Sequence, residues 1–214
     1  MKDVLDQNLQ SFIRELLPVK NELFCEIESY AKEKHVSIVD YEVAVFLKMM
    51  VALKRPKKIL EIGTGLAFST IHMAEALDNT SQILTIERLQ ERLEKASYFI
   101  KKSQQEKKIT LIHEDARDFI IQLNETFDFI FLDAAKGQYG KFLESFDHLL
   151  EPGGLIIADN VLVNGWVIDL EIPERRKRTM VNNMRKFLES FLDNEKYEMS
   201  LVPLGDGLAL IRKR

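Results

Sequence analysis

The chain has 214 residues, 46% of them hydrophobic, and a formal net charge of -4. This length and apolar content are enough for one substantial buried core, and no linker rich in Pro, Gly or Ser divides the chain. We therefore predict a single domain over residues 1–214. The acidic balance excludes a protein that coats nucleic acid with a uniformly basic surface, but it permits a local basic patch.

Cys25 is the single cysteine, so the chain cannot form an internal disulfide. It stands beside Phe24 and Ile27, and we expect it on the apolar face of a helix. No apolar run is long enough to span a bilayer, and the first residues show no signal-peptide pattern. These features predict a cytoplasmic protein without a membrane partner.

Apolar residues at helical spacing predict three helices within residues 1–55. The first pattern ends at Pro18, the second runs from Leu23 to Ala31, and the third runs from Val43 to Val51. We expect these helices to pack on a sheet edge or on a second copy of the chain. They lead us to predict a homodimer.

Over residues 56–214, apolar runs that predict strands alternate with helical patterns. Such alternation is typical of a Rossmann-like, doubly wound α/β core with a mostly parallel sheet, in which ligands bind beyond the carboxyl ends of the strands. Gly205-Asp206-Gly207 predicts a hairpin, so we expect the last strand to be antiparallel. The predicted strands are Ile59–Ile62, Ile83–Ile86, Ile109–Ile112, Phe127–Leu132, Leu155–Ala158, Glu198–Pro203 and Leu208–Arg212.

A glycine loop, with Gly63 and Gly65, follows Glu61 at the end of the first predicted strand. Unpaired N–H groups at the start of the next helix suit a polar or anionic ligand, and glycines let it come close. A dinucleotide-binding motif would carry a third glycine where Phe68 stands, which argues for a nucleotide-like cofactor without a diphosphate. The pattern resembles the first motif of the class I S-adenosylmethionine (SAM) methyltransferases. The alternative is a purely structural turn.

Each predicted parallel strand is followed by acidic or amide side chains. Glu87 is suitably spaced from the glycines to bind both ribose hydroxyls of a nucleoside. Asp115, with the backbone of Ala116, is a candidate for the adenine edge, although a helix N-cap is the alternative. Ser69 is a candidate for the amino acid end of the cofactor, or else a hydroxyl that satisfies a free N–H in the first helical turn.

Asp133 ends the fourth predicted strand, and Asp159 and Asn160 end the fifth. We expect their two carboxylates and one amide to converge from neighbouring strands. These are hard oxygen donors without a thiolate or an adjacent histidine, which favours Mg²⁺, Mn²⁺ or Ca²⁺ over zinc. Three protein ligands leave positions open for water or substrate, as is typical of a catalytic metal site.

The stretches D-A-A-K-G-Q-Y, from Asp133, and D-N-V-L-x-x-G, from Asp159, resemble the metal-dependent O-methyltransferases, the family of catechol and caffeoyl-coenzyme A methyltransferases. The resemblance covers the chain from about Val36 onward. It implies SAM as cofactor, Asp133, Asp159 and Asn160 as metal ligands, and Asp133 and Lys136 as catalytic residues, unless Lys136 is an ordinary solvated lysine. The candidate cofactor-binding residues are Val39, Glu61, Gly63, Gly65, Ser69, Glu87, Asp115, Ala116 and Asp133.

Within that family, D-A-A-K-G-Q-Y, the run R-R-K-R and the ending P-L-G-D-G-L-A are most similar to bacterial tRNA 5-hydroxyuridine methyltransferases. This implies methylation of 5-hydroxyuridine to 5-methoxyuridine at the wobble position, where an unpaired base can turn into a pocket. The candidate RNA contacts are Arg175, Arg176, Lys177 and Arg178, with Arg185 and Lys186 further on. A charge run is also typical of a solvated helix face.

Two other functions stay open at this point. One is the same chemistry on a small catechol-like compound or a phenolic acyl-thioester. The other is a non-catalytic RNA-binding protein that kept the fold. The complete set of Asp133, Lys136, Asp159 and Asn160 argues against this last alternative.

Overall fold

The structure, a computed structural model, describes residues 7–133, 139–169, 172 and 175–214. The strands are β1 Lys58–Ile62, β2 Gln82–Glu87, β3 Ile109–His113, β4 Phe127–Leu132, β5 Leu150–Ala158, β6 Tyr197–Val202 and β7 Leu208–Lys213. The helices are α1 Gln7–Glu15, α2 Glu22–Lys34, α3 Tyr41–Lys54, α4 Phe68–Glu75, α5 Gln90–Lys102, α6 Ala116–Phe119, α7 Tyr139–Leu149 and α8 Arg175–Glu189. Short 3-10 turns lie at Ile120–Gln122 and Trp166–Ile168.

The described strands form one seven-stranded sheet in the order β3-β2-β1-β4-β5-β7-β6. β1 to β5 pair in parallel, whereas β7 runs antiparallel to both β5 and β6. This confirms the Rossmann-like prediction, including the antiparallel last strand. All the parallel strands therefore point their carboxyl ends toward the same edge of the sheet.

Helices cover both faces of the sheet. On one face α2 to α5 contribute a core that includes Phe24, Phe68 and Phe99, all buried. On the other face α7 and α8 contribute a second core that includes Phe146 and Phe187. Burial on both faces explains why the central strands are nearly continuous apolar runs rather than alternating ones.

The N-terminal helices are fixed to the core by polar as well as apolar contacts. Arg14 of α1 donates from Nη2 to Asp40 Oδ1 at 2.8 Å and from Nε to Glu42 Oε2 at 2.7 Å. Phe12 and Leu16 remain exposed in this single chain. The homodimer predicted from these helices stays a prediction.

The structure corrects the placement of Cys25, which is exposed. On α2 the buried side chains are Phe24, Ile27 and Ala31, at helical spacing, and Cys25 lies off that stripe. Among the described residues, no helix combines the length and the apolar character needed to cross a bilayer.

Two element boundaries differ from the sequence prediction. β5 begins at Leu150 because a register shift opposite Phe127 and Phe129 accommodates the Pro152-Gly153-Gly154 segment inside the strand. The apolar pattern of the last helix predicts a start at about Arg178, whereas α8 begins at Arg175, since its first turn is basic and carries no apolar stripe that would reveal it.

The turn between β6 and β7 packs against the loop that follows β5. Gly205 and Gly207 have positive φ angles of 57° and 84°. A Cβ on Gly207 would lie only 2.3 Å from Leu162 Cγ, so no side chain fits there. Val161 N donates to Gly207 O and Leu162 N to Asp206 O, each at 3.0 Å.

His72 provides a test of core packing, because its ring is buried between α2 and α4. The ring stacks on Phe24 with centroids 3.7 Å apart, and Nδ1 lies 2.8 Å from the carbonyl oxygen of Phe68. Burial lowers the pKa of His72 from 6.5 to about 4. A lowered folded-state pKa gives stability that is complete above the unfolded-state pKa of 6.5 and is lost as pH falls toward 4.

We therefore expect acid to destabilise the wild type more than a His72→Phe variant. As the pH falls from about 7.5 to 5, the unfolding free energy of the wild type should decrease by about 2 kcal/mol relative to that of the variant. Urea denaturation across this range measures it, with the exposed His148→Gln as control. Parallel pH profiles for wild type and His72→Phe would contradict the assignment.

Candidate active site

A cavity of about 360 Å³ opens at the carboxyl ends of the parallel strands. Seven of its fifteen described lining residues are predicted site residues. These are Gly63, Gly65, Glu87, Asp115, Ala116, Asp133 and Asn160. The sheet topology thus brings the predicted glycine loop and most of the predicted strand-end acids to one place.

The glycine loop is shaped by bonds to the end of β2. The N–H groups of Gly63 and Thr64 donate to Ile86 O at 3.1 and 3.2 Å. Gly63 and Gly65 have φ angles of 105° and 56°, which favour glycine. The turn is therefore tight and leaves its outer side to the cavity.

Glu87 connects this loop to the start of α5. Its Oε2 accepts from Gly65 N at 3.0 Å, and its Oε1 accepts from Leu89 N at 2.9 Å. A carboxylate oxygen can accept two hydrogen bonds, so each oxygen retains capacity for a further donor. This geometry suits the predicted role of Glu87 as acceptor for two ribose hydroxyls.

Glu61 lies beneath the loop rather than on the cavity wall. Its carboxylate is fully buried and accepts from the hydroxyls of Ser69 at 2.6 Å, Thr70 at 2.5 Å and Thr85 at 2.7 Å. Burial raises the pKa of Glu61 to about 7, an effect that the three hydroxyl donors oppose. The carboxylate thereby joins β1, β2 and α4 under the glycines.

Three predicted cofactor-binding residues are therefore not on the cavity wall. Glu61 and Ser69 bond to each other, and Val39 is buried in the core at the start of α3. Ser37, two residues before Val39, lines the cavity instead. Any effect of Glu61 and Ser69 on a cofactor would act through the shape of the loop.

Asp115 caps α6 and also lines the cavity, so the helix cap is confirmed and the predicted contact with adenine stays a prediction. Its Oδ1 accepts from the backbone N–H of Arg117 at 3.0 Å. The Arg117 guanidinium also donates from Nε at 2.9 Å and from Nη2 at 2.7 Å. These bonds lower the pKa of Asp115 to about 2, so it is a carboxylate at neutral pH.

The three predicted metal ligands follow the tips of the adjacent strands β4 and β5. Leu132 pairs with Ala158, so the next residues, Asp133 and Asp159, follow adjacent strand ends. Asp159 N donates to Leu132 O at 2.9 Å. Asn160 follows with a positive φ of 57°, and its backbone N–H donates to Asp159 Oδ1 at 2.6 Å.

The electrostatics of these groups fit a divalent cation. Asp159 is buried, and burial, followed by the nearby charge of Asp133, raises the pKa of its carboxyl group well above the usual range. No three His, Cys, Asp or Glu side chains form a metal-binding group in the described ranges. The predicted set instead has two carboxylates and one amide, a donor set of oxygen atoms that Mg²⁺, Mn²⁺ or Ca²⁺ accepts.

Lys136 lies outside the described residues, in the segment between Asp133 and Tyr139.

The cavity wall also includes residues that were not predicted as site residues. They are Ser37, Arg88, Leu89, Arg92, Glu114 and Phe142. Arg88 and Leu89 directly follow Glu87, so their position in the sequence could have indicated that they line the cavity. Nothing in the sequence distinguished Ser37.

In the predicted basic patch, Arg178 and Arg185 bond to backbone carbonyl groups, whereas Lys177 lies over an aromatic ring. Arg185 donates to Val167 O at 2.8 Å and to Asp169 O at 2.5 Å, so it stabilises the loop after β5. Arg178 donates to Ile172 O at 3.0 Å. Lys177 lies over the ring of Trp166, with Nζ 4.7 Å from the centroid. Arg175 is exposed, and the side chain of Arg176 lies outside the described part of the chain.

Comparison with known proteins shows the class of enzyme. The sequence profile of a family described as O-methyltransferase matches residues 19–214. The chain belongs to this O-methyltransferase family. A caffeoyl-CoA O-methyltransferase from Populus kitakamiensis is 31% identical over 210 residues, covering 92% of this chain and 88% of its own. A flavonoid 3',5'-methyltransferase from Vitis vinifera is 32% identical over 195 residues, covering 85% of this chain and 82% of its own.

A solved structure agrees with this family. The O-methyltransferase from Bacillus cereus in complex with S-adenosylhomocysteine (SAH) has a TM-score of 0.86, with 25% identity over 97% of each chain. The protein is thus a SAM-dependent O-methyltransferase of the caffeoyl-CoA O-methyltransferase-like family. This confirms the enzyme class and the SAM dependence inferred from its motifs.

Glu87 offers a direct test of the cofactor site. In a Glu87→Gln variant one carboxylate oxygen becomes an amide that cannot accept from its backbone N–H partner. We expect the affinity for SAH to fall by about 10- to 100-fold, the usual cost of losing hydrogen bonds to a charged group. Isothermal titration calorimetry measures this, with the exposed Glu94→Gln on α5 as control. Unchanged affinity would remove Glu87 from the cofactor site.

Proposed function

We propose that this O-methyltransferase holds a divalent cation with Asp133, Asp159 and Asn160 and methylates 5-hydroxyuridine at the wobble position of tRNA. The observation that carries this proposal is the position of these three residues at the adjacent tips of β4 and β5, where Asp159 is buried. The glycine loop and Glu87 lie on the same cavity.

The main contribution of the chain's own residues is to position the cofactor and the accepting oxygen. When bound, SAM supplies a methyl group on a positively charged sulfur, and the cation lowers the pKa of the accepting hydroxyl. Glu87 and the glycine loop would hold the nucleoside end of the cofactor. The strand tips at Asp133 and Asp159 would fix the accepting oxygen, and such alignment supplies much of the rate increase in two-reactant enzymes.

We assign the role of proton acceptor to Lys136. Its segment begins at Asp133, whose N–H donates to Ile62 O at 3.0 Å. It ends at Tyr139, whose hydroxyl donates to Leu132 O at 3.1 Å. Both described ends of this segment are attached beside the proposed metal ligands, which supports the assignment of Lys136. A nearby cation would lower its pKa toward that of a general base.

The basic residues near the loop after β5 support an anionic substrate such as RNA. Lys177 stacks on Trp166, and Arg185 holds the same loop from α8. The loop begins directly after Asn160 in the chain, which supports the use of these basic residues for a substrate bound at the proposed metal site. Arg175 and Lys177 are the proposed phosphate contacts, whereas Arg185 has a structural role.

A second candidate is the same reaction on a phenolic acyl-thioester. It is favoured by the similarity to the Populus kitakamiensis caffeoyl-CoA O-methyltransferase. A coenzyme A thioester also carries phosphates, so basic residues suit either substrate. Family membership removes the support for a non-catalytic RNA-binding protein.

The central experiment incubates the protein with labelled SAM, Mg²⁺ and either bulk tRNA containing 5-hydroxyuridine or caffeoyl-CoA. We expect 5-methoxyuridine by mass spectrometry, its loss with EDTA and its return with added Mg²⁺. Asp159→Asn and Lys136→Ala should each lower turnover by about 100-fold or more while keeping SAH affinity. The exposed Lys32→Ala is the control.

Each part of the proposal fails on a different result. Efficient methylation of caffeoyl-CoA with none of tRNA would favour the second candidate. Full activity after exhaustive chelation would exclude the cation, and unchanged turnover of Lys136→Ala would exclude that lysine as the base.

The basic residues give a separate prediction. Neutralising Arg175 and Lys177 together to Gln should weaken tRNA binding and reduce the slope of log affinity against log salt by about one for each lost phosphate contact. Binding is measured by fluorescence anisotropy over a salt series. Lys101→Gln with Lys107→Gln is the charge-matched control, since these exposed residues precede β3 at the opposite edge of the sheet. Equal slopes for both double variants would place RNA elsewhere.

A further inference from the structure

The hydroxyl of Tyr139 lies between two carbonyl groups at the tips of β4 and β5. It is 3.1 Å from Leu132 O and 2.9 Å from Asp159 O, and the side chain is fully buried. Leu132 immediately precedes Asp133, and Asp159 is itself a proposed ligand. A phenol has one proton to donate, which these two carbonyl oxygens share, so the hydroxyl bridges the backbone at both proposed carboxylate ligands.

This bridge lies where the two strands begin to separate. Asp159 N donates to Leu132 O at 2.9 Å, and the positive φ of Asn160 then turns the chain away from the strand. Leu132 and Ala158 are the last paired residues of β4 and β5, and Asp133 and Asp159 follow them. The Tyr139 hydroxyl therefore contacts the backbone at the point where the regular pairing of the two strands ends.

The ring of Tyr139 is held in place by other aromatic side chains. It packs edge-on against Phe187 of α8, with centroids 5.6 Å apart and an interplanar angle of 76°. Phe187 packs in the same way on Phe191 at 5.2 Å, and Phe191 on Tyr197 at 5.7 Å. A row of rings fixed between α7, α8 and β6 therefore determines where the hydroxyl lies.

We propose that Tyr139 is a positioning residue of the metal site. Its hydroxyl sets the separation of the β4 and β5 tips and hence the separation of the Asp133 and Asp159 carboxylates. Partners that orient metal ligands typically change affinity by about 10- to 100-fold when they are removed. The inference rests on the proposed cation binding by Asp133, Asp159 and Asn160.

The test is a Tyr139→Phe variant, which keeps the ring and removes the bridge. Tyr197→Phe is the matched control, because it lies at the other end of the same row and loses a hydroxyl bonded to Asp147 Oδ1 at 3.0 Å. Mn²⁺ binding to SAH-saturated full-length protein is measured by calorimetry. We expect the Mn²⁺ dissociation constant to rise about 10-fold or more in Tyr139→Phe and to change by less than about twofold in Tyr197→Phe.

Two further readouts separate positioning from general damage to the core. The affinity for SAH should stay within about twofold of wild type in both variants. The Mg²⁺ concentration for half-maximal methylation should rise in Tyr139→Phe, while turnover at saturating Mg²⁺ recovers toward the wild-type value.

The outcomes distinguish this inference from the proposed function. If the wild type binds Mn²⁺ and Tyr139→Phe binds it with the same affinity, the positioning role is overturned and the metal proposal stands. An equal loss in Tyr197→Phe would assign the effect to the core and also overturn it. No Mn²⁺ binding by the wild type would overturn the metal proposal and this inference together.

Discussion

Repulsion between two carboxylates at the ends of adjacent parallel strands is the constraint on which the site depends. The register of β4 and β5 places Asp133 and Asp159 next to each other, and burial, followed by the charge of Asp133, raises the pKa of the Asp159 carboxyl group. Backbone hydrogen bonds from both residues to neighbouring strands keep them there. The stability of the apolar sheet thus holds two acidic side chains close together at a cost in free energy that a cation would relieve, which is how a fold can prepare a metal site in advance.

The cofactor half of the cavity is attached to the same strands. Glu61 fixes the underside of the glycine loop through three hydroxyl groups, and the next residue, Ile62, accepts the N–H of Asp133. A displacement of β1 would therefore move the loop and one proposed metal ligand together. This common support explains how a methyl donor and its acceptor oxygen can be held in a constant relation by a single sheet.

The sequence predicted the fold and most of the cavity because both follow from patterns along the chain. Apolar runs marked the strands, and parallel pairing then brought Glu87, Asp115 and Asp133 to one edge. The direction in which each side chain points was harder to predict from the sequence. The eight-residue separation of Glu61 and Ser69 did not indicate that they bond to each other, and Arg185 looked like part of an exposed basic run although it caps backbone carbonyls. Ser37 reaches the cavity through tertiary packing that no local pattern records.

β6 precedes β7 in the chain, yet β7 lies between β5 and β6 in the sheet. β6 therefore has no partner in the sheet until β7 is inserted. The turn between them also supplies the acceptors for Val161 and Leu162, just after Asn160. During synthesis, the strands that carry the glycine loop and Glu87 can assemble first, whereas the loop behind the proposed cation ligands must wait for this hairpin. A growing chain would thus complete the glycine-loop side of the cavity before the side of the proposed metal site.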